Sequence, residues 1–167
     1  MRVAIAEDSL LFRAGLASVL TTAGHVVTAS VGSADELLAA VTGDPPDAAI
    51  IDIKMPPTHT TEGLQAAAQI AASNPEIGVL VLSQYVDARY ALRLINERPH
   101  GAGYLLKQRV IDIEEFIDSV QRVADGGLVV DPDVVGHMIT SAGSVRPVEQ
   151  LTERPALPAP LCGGIRL

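Results

Sequence analysis

The sequence predicts an α/β fold built on a doubly wound, five-stranded parallel sheet with helices on both faces. Short apolar runs alternate with helical patterns over the first 125 residues, and short turns join them. This alternation is typical of βαβ units with right-handed crossovers. Residues 48–51 are apolar at consecutive rather than alternate positions, which indicates a strand covered on both faces.

Composition agrees with that architecture. Hydrophobic residues make up 48% of the chain and aromatic residues only 3%, so the core must consist of Ala, Val, Leu and Ile. The apolar runs that we interpret as strands are residues 2–6, 25–31, 48–52, 77–82 and 102–106.

Capping residues and glycines mark where the helices between these strands begin and end. Capping boxes at residues 33–36 and 112–115 open the second and fifth helices. Gly24 ends the first helix, and residues 125–127 end the fifth. The third and fourth helices are expected near the following ranges: 64–72 and 86–97.

The domain is expected to be followed by a short exit. We assign residues 1–125 to the α/β domain and residues 126–141 to an exit segment with a sixth helix ending near Thr140. Four prolines follow among residues 146–160, so residues 142–167 are predicted to form a linker and a tail.

Charge and cysteine content exclude several classes of protein. The net charge of −8 argues against binding of a polyanion through the overall field. The single cysteine, Cys162, permits no internal disulfide and favours a reducing compartment. No secretory signal is visible, and no apolar run approaches the roughly 18 residues that a membrane helix needs. We therefore expect a cytoplasmic protein without a membrane segment.

Polar residues stand at the carboxyl ends of four predicted strands. Glu7 and Asp8 follow the first strand, Asp52 ends the third, Ser83 follows the fourth and Lys107 follows the fifth. In a flavodoxin-like strand order, 2-1-3-4-5, the first and third strands are neighbours at the switch point where ligands usually bind. We expect these five side chains to lie together.

Such a group suits phosphoryl transfer. Three crowded carboxylates repel one another, and a hard divalent cation with oxygen ligands, Mg²⁺, would relieve the repulsion. Asp52 would be the nucleophile that becomes an aspartyl phosphate. Mg²⁺ and Lys107 would hold the phosphoryl oxygens, and Ser83 would donate a hydrogen bond. Taken singly, these residues are also typical of helix caps, turns and solvated charges; their joint placement favours a site.

Four motifs carry a resemblance to a known family. They are residues 6–9, 50–56, 81–83 and 103–107. In this order they resemble the receiver domain of two-component response regulators, over residues 1 to about 125.

The resemblance implies a role for each site residue. Glu7 and Asp8 would bind Mg²⁺ with Asp52 and the backbone carbonyl of Lys54, and Asp52 would accept a phosphoryl group from a sensor histidine kinase. Ser83 and Lys107 would detect that group. Tyr104 would swing inward when Ser83 moves and reshape the face made by the fourth helix, fifth strand and fifth helix. Such a protein is a phospho-acceptor and not a turnover enzyme.

The exit segment resembles one group within this family. Residues 126–135 are similar to the exit of NarL/LuxR-type receivers, transcription regulators whose effector is a helix-turn-helix domain. Residues 151–154 look like the start of that effector, but prolines then exclude a continuing helix at positions Pro155, Pro158 and Pro160. DNA binding is therefore expected only through an effector that these residues do not supply. A truncation, a frameshifted end and a stand-alone receiver acting by protein contact all remain open.

Two other classes of protein share part of this pattern. A haloacid-dehalogenase-like phosphatase also uses a strand-end Asp, but it normally has a second acid two residues later, where this chain has Lys54. A flavin- or nucleotide-binding domain would need a Gly-rich loop after the first strand, and none is present.

A homodimer through apolar residues near the exit is a further possibility, with these candidates: Val134, Val135, Met138 and Ile139.

Overall fold

The computed structural model describes residues 1–153, with side chains up to residue 142. Its parallel sheet has the strand order β2-β1-β3-β4-β5-β6. The strands are β1 (Arg2–Ala6), β2 (Val26–Val31), β3 (Ala48–Asp52), β4 (Gly78–Ser83), β5 (Ala102–Leu106) and β6 (Leu128–Val130). The helices are α1 (Leu10–Thr22), α2 (Ala34–Gly43), α3 (Glu62–Ser73), α4 (Ala88–Glu97), α5 (Ile113–Ala124) and α6 (Pro132–Glu153), with a short 3-10 helix at Lys107–Ile111.

The predicted doubly wound sheet and its order over the first five strands are confirmed, but the number of strands is six. Strand β6 pairs parallel with β5, with Ala102 opposite Leu128 and Tyr104 opposite Val130. From the sequence alone, this segment is assigned to the exit. Three residues are too short to show a strand pattern, so pairing with the edge of β5 decides the conformation instead.

Both faces of the sheet are covered, as the consecutive apolar residues predicted. In β3, Ala49 and Ile51 face the cluster formed with α2, α3 and α4, whereas Ala48 and Ile50 face the cluster formed with α1 and α5. All five residues of β3 are buried. The sheet is therefore a rigid layer between two cores, and its carboxyl edge holds the predicted site.

Side-chain caps fix the helix starts where the sequence indicated them. The Ser33 hydroxyl accepts from the amide of Glu36 at 3.3 Å, and the Asp112 carboxylate accepts from the amide of Glu115 at 3.1 Å. At the start of α1 the cap is Ser9, whose hydroxyl accepts from an amide in the first turn. Because Ser9 caps this helix, the neighbouring acids are available to the site.

The start of α6 is joined to the end of β5 by a buried carboxylate. Asp131 is fully buried, and its amide donates to the carbonyl of Tyr104 at 2.8 Å. Its carboxylate accepts from the amide of Leu106 at 3.1 Å and from Arg109 through two bonds of 2.9 and 3.1 Å. The bidentate ion pair offsets the cost of burying this charge.

Helix α6 continues beyond its predicted end. It runs to Glu153, whereas the sequence suggested an end near Thr140 and a linker from residue 142. The first proline after Thr140 is Pro147, so no strong local signal stops the helix at the predicted position. Predictions for residues 154–167, including Cys162, lie outside the described residues.

The apolar residues of α6 have two different environments. Val134 is fully buried against the core, whereas Val135 and Ile139 are 37% and 67% exposed. Self-association through this face stays a prediction. Within residues 1–153, no helix is both long enough and apolar enough to cross a membrane.

Glycine at the start of β4 is required by close packing. A β-carbon at Gly78 would overlap the carbonyl of Val123 at the end of α5. We expect Gly78→Ala to lower the free energy of unfolding by about 1–3 kcal/mol, because both backbones must move apart. Chemical denaturation monitored by circular dichroism measures this change.

The matched control is Gly15→Ala in the middle of α1. No atom lies within 4 Å of a β-carbon at Gly15, so this exchange should raise stability by about 0.5–1 kcal/mol through helix propensity. Equal effects of the two substitutions would contradict the packing argument.

Candidate functional site

The carboxyl ends of β1 and β3 bring three acidic side chains together. Oxygen atoms of Glu7, Asp8 and Asp52 all lie within 4.8 Å of one another. The side chains of Glu7 and Asp52 are 1% and 7% exposed, whereas that of Asp8 is 32% exposed. The sheet register produces this meeting, because β1 and β3 are hydrogen-bonded neighbours that end at the same edge.

Lys107 supplies a positive charge to the group. Its ammonium lies 2.9 Å from Oε2 of Glu7 and 3.3 Å from Oδ2 of Asp52. The same ammonium lies 5.1 Å from the centre of the Phe12 ring. In this group of side chains one cation therefore faces three carboxylates, which leaves an excess of negative charge.

Burial and the excess negative charge perturb the protonation of the site. Burial, reinforced by the nearby Glu7 carboxylate, raises the pKa of Asp52 to about 7, and Lys107 opposes that shift. Burial would also raise the pKa of Asp8, but hydrogen bonding with Glu7 and Asp52 outweighs it and lowers that pKa. Burial opposes the charged form of Lys107, yet its contacts with Glu7 and Asp52 raise the pKa of the ammonium. Burial and the neighbouring charge therefore bring the pKa of Asp52 close to neutral pH.

The donor atoms fit a hard divalent cation. Oε2 of Glu7 is buried and has no hydrogen bond of good geometry, although the Lys107 ammonium is close. Carboxylate oxygens within a few ångströms are the ligands that Mg²⁺ and Ca²⁺ prefer. The pocket around them has a volume of about 280 Å³ and is open to solvent on the Asp8 side. The predicted acidic cluster is present in the structure.

Ser83 and Tyr104 meet at one backbone carbonyl. The hydroxyl of Ser83 donates to the carbonyl of Tyr85 at 3.0 Å and accepts from its amide at 3.1 Å. Tyr104 is fully buried, and its hydroxyl donates to the same carbonyl at 3.4 Å. Ser83 lines the pocket with Asp52 and Lys107. The predicted contact of Ser83 with a phosphoryl oxygen would require the hydroxyl to turn away from Tyr85.

Three other residues shape the pocket, two of which we did not predict. The ammonium of Lys54 lies 4.8 Å from the centre of the Tyr85 ring at the rim. A β-carbon at Gly63 would overlap the carbonyl of Asp52, so glycine allows α3 to begin against the end of β3. His59 lines the pocket from the loop between β3 and α3. The sequence signal that could have drawn attention to His59 is the Pro- and Thr-rich loop that follows Asp52.

Known proteins share this architecture. The family model described as response regulator receiver domain matches residues 3–121. The transcriptional regulatory protein DegU from Brevibacillus brevis is 29% identical over 83% of this chain and 56% of its own length. The probable transcriptional regulatory protein NarL from Mycobacterium tuberculosis is 31% identical over 98% of this chain and 74% of its own length.

A solved structure agrees with the sequence relatives. The signal receiver domain of the putative response regulator NarL from Mycobacterium tuberculosis superposes with a TM-score of 0.60 at 26% identity, covering 72% of this chain and 95% of that one. The chain spans 56 to 62% of the length of the first three curated relatives it matches. With its family match and its relatives of the NarL and DegU type, the chain belongs to the response regulator receiver domain family.

Proposed function

We propose that this chain is a phosphorylation-controlled switch in which Asp52 accepts a phosphoryl group from a sensor histidine kinase. The observation that carries the proposal is the position of Asp52. Its carboxylate is buried at the end of β3, beside Glu7 and Asp8, which follow β1, and 3.3 Å from the ammonium of Lys107. The proposed transfer takes place in the cytoplasm.

The reaction would proceed by direct displacement. A carboxylate oxygen of Asp52 forms a bond to phosphorus while the bond between phosphorus and the kinase histidine breaks, so the imidazole leaves with that electron pair. Glu7, Asp8 and Asp52, with the backbone carbonyl of Lys54, would hold Mg²⁺. When bound, this ion offsets the negative charge of the phosphoryl oxygens.

Lys107 and Ser83 would hold the product. The ammonium is already 3.3 Å from Oδ2 of Asp52, so it can contact a phosphoryl oxygen without a large movement. Ser83 can donate to another oxygen once its hydroxyl leaves the carbonyl of Tyr85. The same carbonyl accepts a hydrogen bond from Tyr104. Movement of the Ser83 hydroxyl would therefore change the contacts of Tyr104, and through them the output face formed by α4, β5 and α5.

The output we propose is control of transcription, which the printed names of DegU and NarL state for those two proteins. We propose a DNA-binding effector as the route to that output. Homodimer formation is proposed as part of the same switch. A haloacid-dehalogenase-like phosphatase is less well supported. The described pocket lining contains no acid beyond Glu7, Asp8 and Asp52, and Lys54 occupies the position that would supply the general acid.

Phosphorylation of Asp52 can be measured directly. Incubation of the chain with Mg²⁺ and a labelled small acyl phosphate should yield one base-labile phosphate per chain. Asp52→Asn should abolish this label, because the amide cannot form an acyl phosphate. Asp125→Asn, which alters an exposed acid outside the pocket, is the control and should label normally. Undiminished labelling of Asp52→Asn would exclude the assignment.

The raised pKa of Asp52 also predicts a pH-dependent stability. Because the folded-state pKa is about 7 rather than the ordinary 3.8, the native state binds an additional proton between these values. The associated stability is fully present below about pH 4 and is lost as the pH rises through 7. Asp52→Asn should match the parent chain near pH 4 and exceed its unfolding free energy by about 1–3 kcal/mol near pH 8.

Denaturant titrations of both chains in metal-free buffer measure this difference. Addition of Mg²⁺ near pH 8 should stabilise the parent chain more than Asp52→Asn, because the parent retains all three carboxylates. A stability difference that does not change with pH would show that Asp52 titrates normally in the folded protein.

A further inference from the structure

His59 contacts the acidic cluster, and the proposed mechanism gives it no role. Its Nε2 atom lies 3.3 Å from Oδ2 of Asp8, and the imidazole is 53% exposed. The side chain lines the same pocket as Asp52 and Lys107. A nitrogen donor therefore stands at the solvent side of a site whose other donors are carboxylate oxygens.

The loop holds His59 in a defined position. The carboxylate of Glu62 accepts from the amide of Thr58 at 2.8 Å and from the amide of Thr60 at 2.9 Å, which are the residues before and after His59. The amide of His59 itself donates to the carbonyl of Met55 at 2.9 Å. These bonds keep His59 at a φ of 55°, a left-handed conformation that a non-glycine residue adopts at a cost of about 1–2 kcal/mol.

The spacing of the two donors suits a shared cation. Ligands at adjacent vertices of an octahedron, with bonds of about 2.1 Å, are about 3 Å apart. The separation of His59 Nε2 and Asp8 Oδ2 is 3.3 Å. Nε2 is not within 4.8 Å of all three carboxylates, whereas opposite vertices of such an octahedron are about 4.2 Å apart, so a common ion requires the exposed His59 side chain to move toward Glu7 and Asp52.

We propose that His59 is an additional ligand of the cation at Asp8 and shifts the preference of the site from Mg²⁺ toward transition-metal ions such as Mn²⁺. Imidazole nitrogen binds first-row transition metals well, whereas Mg²⁺ favours oxygen ligands and retains its waters. The inference deepens the proposed function and rests on it for the presence of a cation. It concerns the choice of ion and not the phosphoryl acceptor.

Spectroscopy of bound Mn²⁺ tests for the nitrogen ligand without a mutation. Electron spin-echo measurements on the full chain with Mn²⁺ at about pH 8 should show modulation from a directly bound nitrogen. His59→Asn should remove the modulation. His100→Asn is the matched control, since this exposed histidine precedes β5 at the opposite edge of the sheet, and it should retain the signal. A spectrum of the parent chain without nitrogen modulation overturns the proposal.

Affinity gives a second, independent readout. Equilibrium dialysis with Mn²⁺ and with Mg²⁺ yields the ratio of the two dissociation constants for each chain. Loss of a nitrogen ligand should reduce the preference for Mn²⁺ about tenfold in His59→Asn, with no change in His100→Asn. An unchanged ratio in His59→Asn would also overturn the proposal.

The two proposals fail in different ways. If the parent chain shows nitrogen modulation but takes no label on Asp52 with either ion, the proposed phosphoryl acceptor is wrong while the ligand assignment stands. If Asp52 is labelled but bound Mn²⁺ shows no nitrogen, His59 is only an ion-pair partner of Asp8.

Discussion

The confinement of three carboxylates at one edge of a rigid sheet is the constraint on which the site depends. Two unit charges about 5 Å apart repel by about 3 kcal/mol at an effective dielectric constant of 20. Glu7, Asp8 and Asp52 cannot separate freely, because β1 and β3 are paired strands between two packed cores. Lys107 offsets part of the repulsion. The remaining charge must be met by a proton or a cation, so the fold favours a positive ion at this edge of the sheet.

Close contacts around the strand ends maintain this confinement. Gly63 lets α3 start directly against the carbonyl of Asp52. At the edge of the sheet formed by β5 and β6, Asp131 bonds to the amide of Leu106, the residue before Lys107, and to Arg109 just beyond it. The ammonium that neutralises the site therefore extends from a segment tied to the first residues of α6. The geometry of the pocket and the start of the exit helix are parts of one bonded network.

The strands and their polar ends could be predicted because local patterns determine them. Consecutive apolar residues mark buried parallel strands. A polar residue at the carboxyl end of such a strand must then lie at the edge of the sheet where ligands bind. Strand β6 was not predicted, because three residues are too few to show a periodic pattern. The predicted end of α6 was too early, because weak helix signals do not define where a helix ends. His59 and Gly63 depend on how the loop after β3 folds back over the pocket. Only tertiary contacts determine that path, so no spacing rule identifies them.

The contacts at the ends of β4 and β5 differ in how easily they can rearrange. The hydroxyl of Ser83 bonds to the backbone of Tyr85, so turning this hydroxyl exchanges bonds worth about 1 kcal/mol each. Lys107 is paired with two buried carboxylates, and breaking a buried ion pair costs about 3–5 kcal/mol. A new group on Asp52 would therefore move the end of β4 more readily than the end of β5. Because Tyr104 shares the carbonyl of Tyr85 with Ser83, such a movement alters the surroundings of a fully buried aromatic side chain.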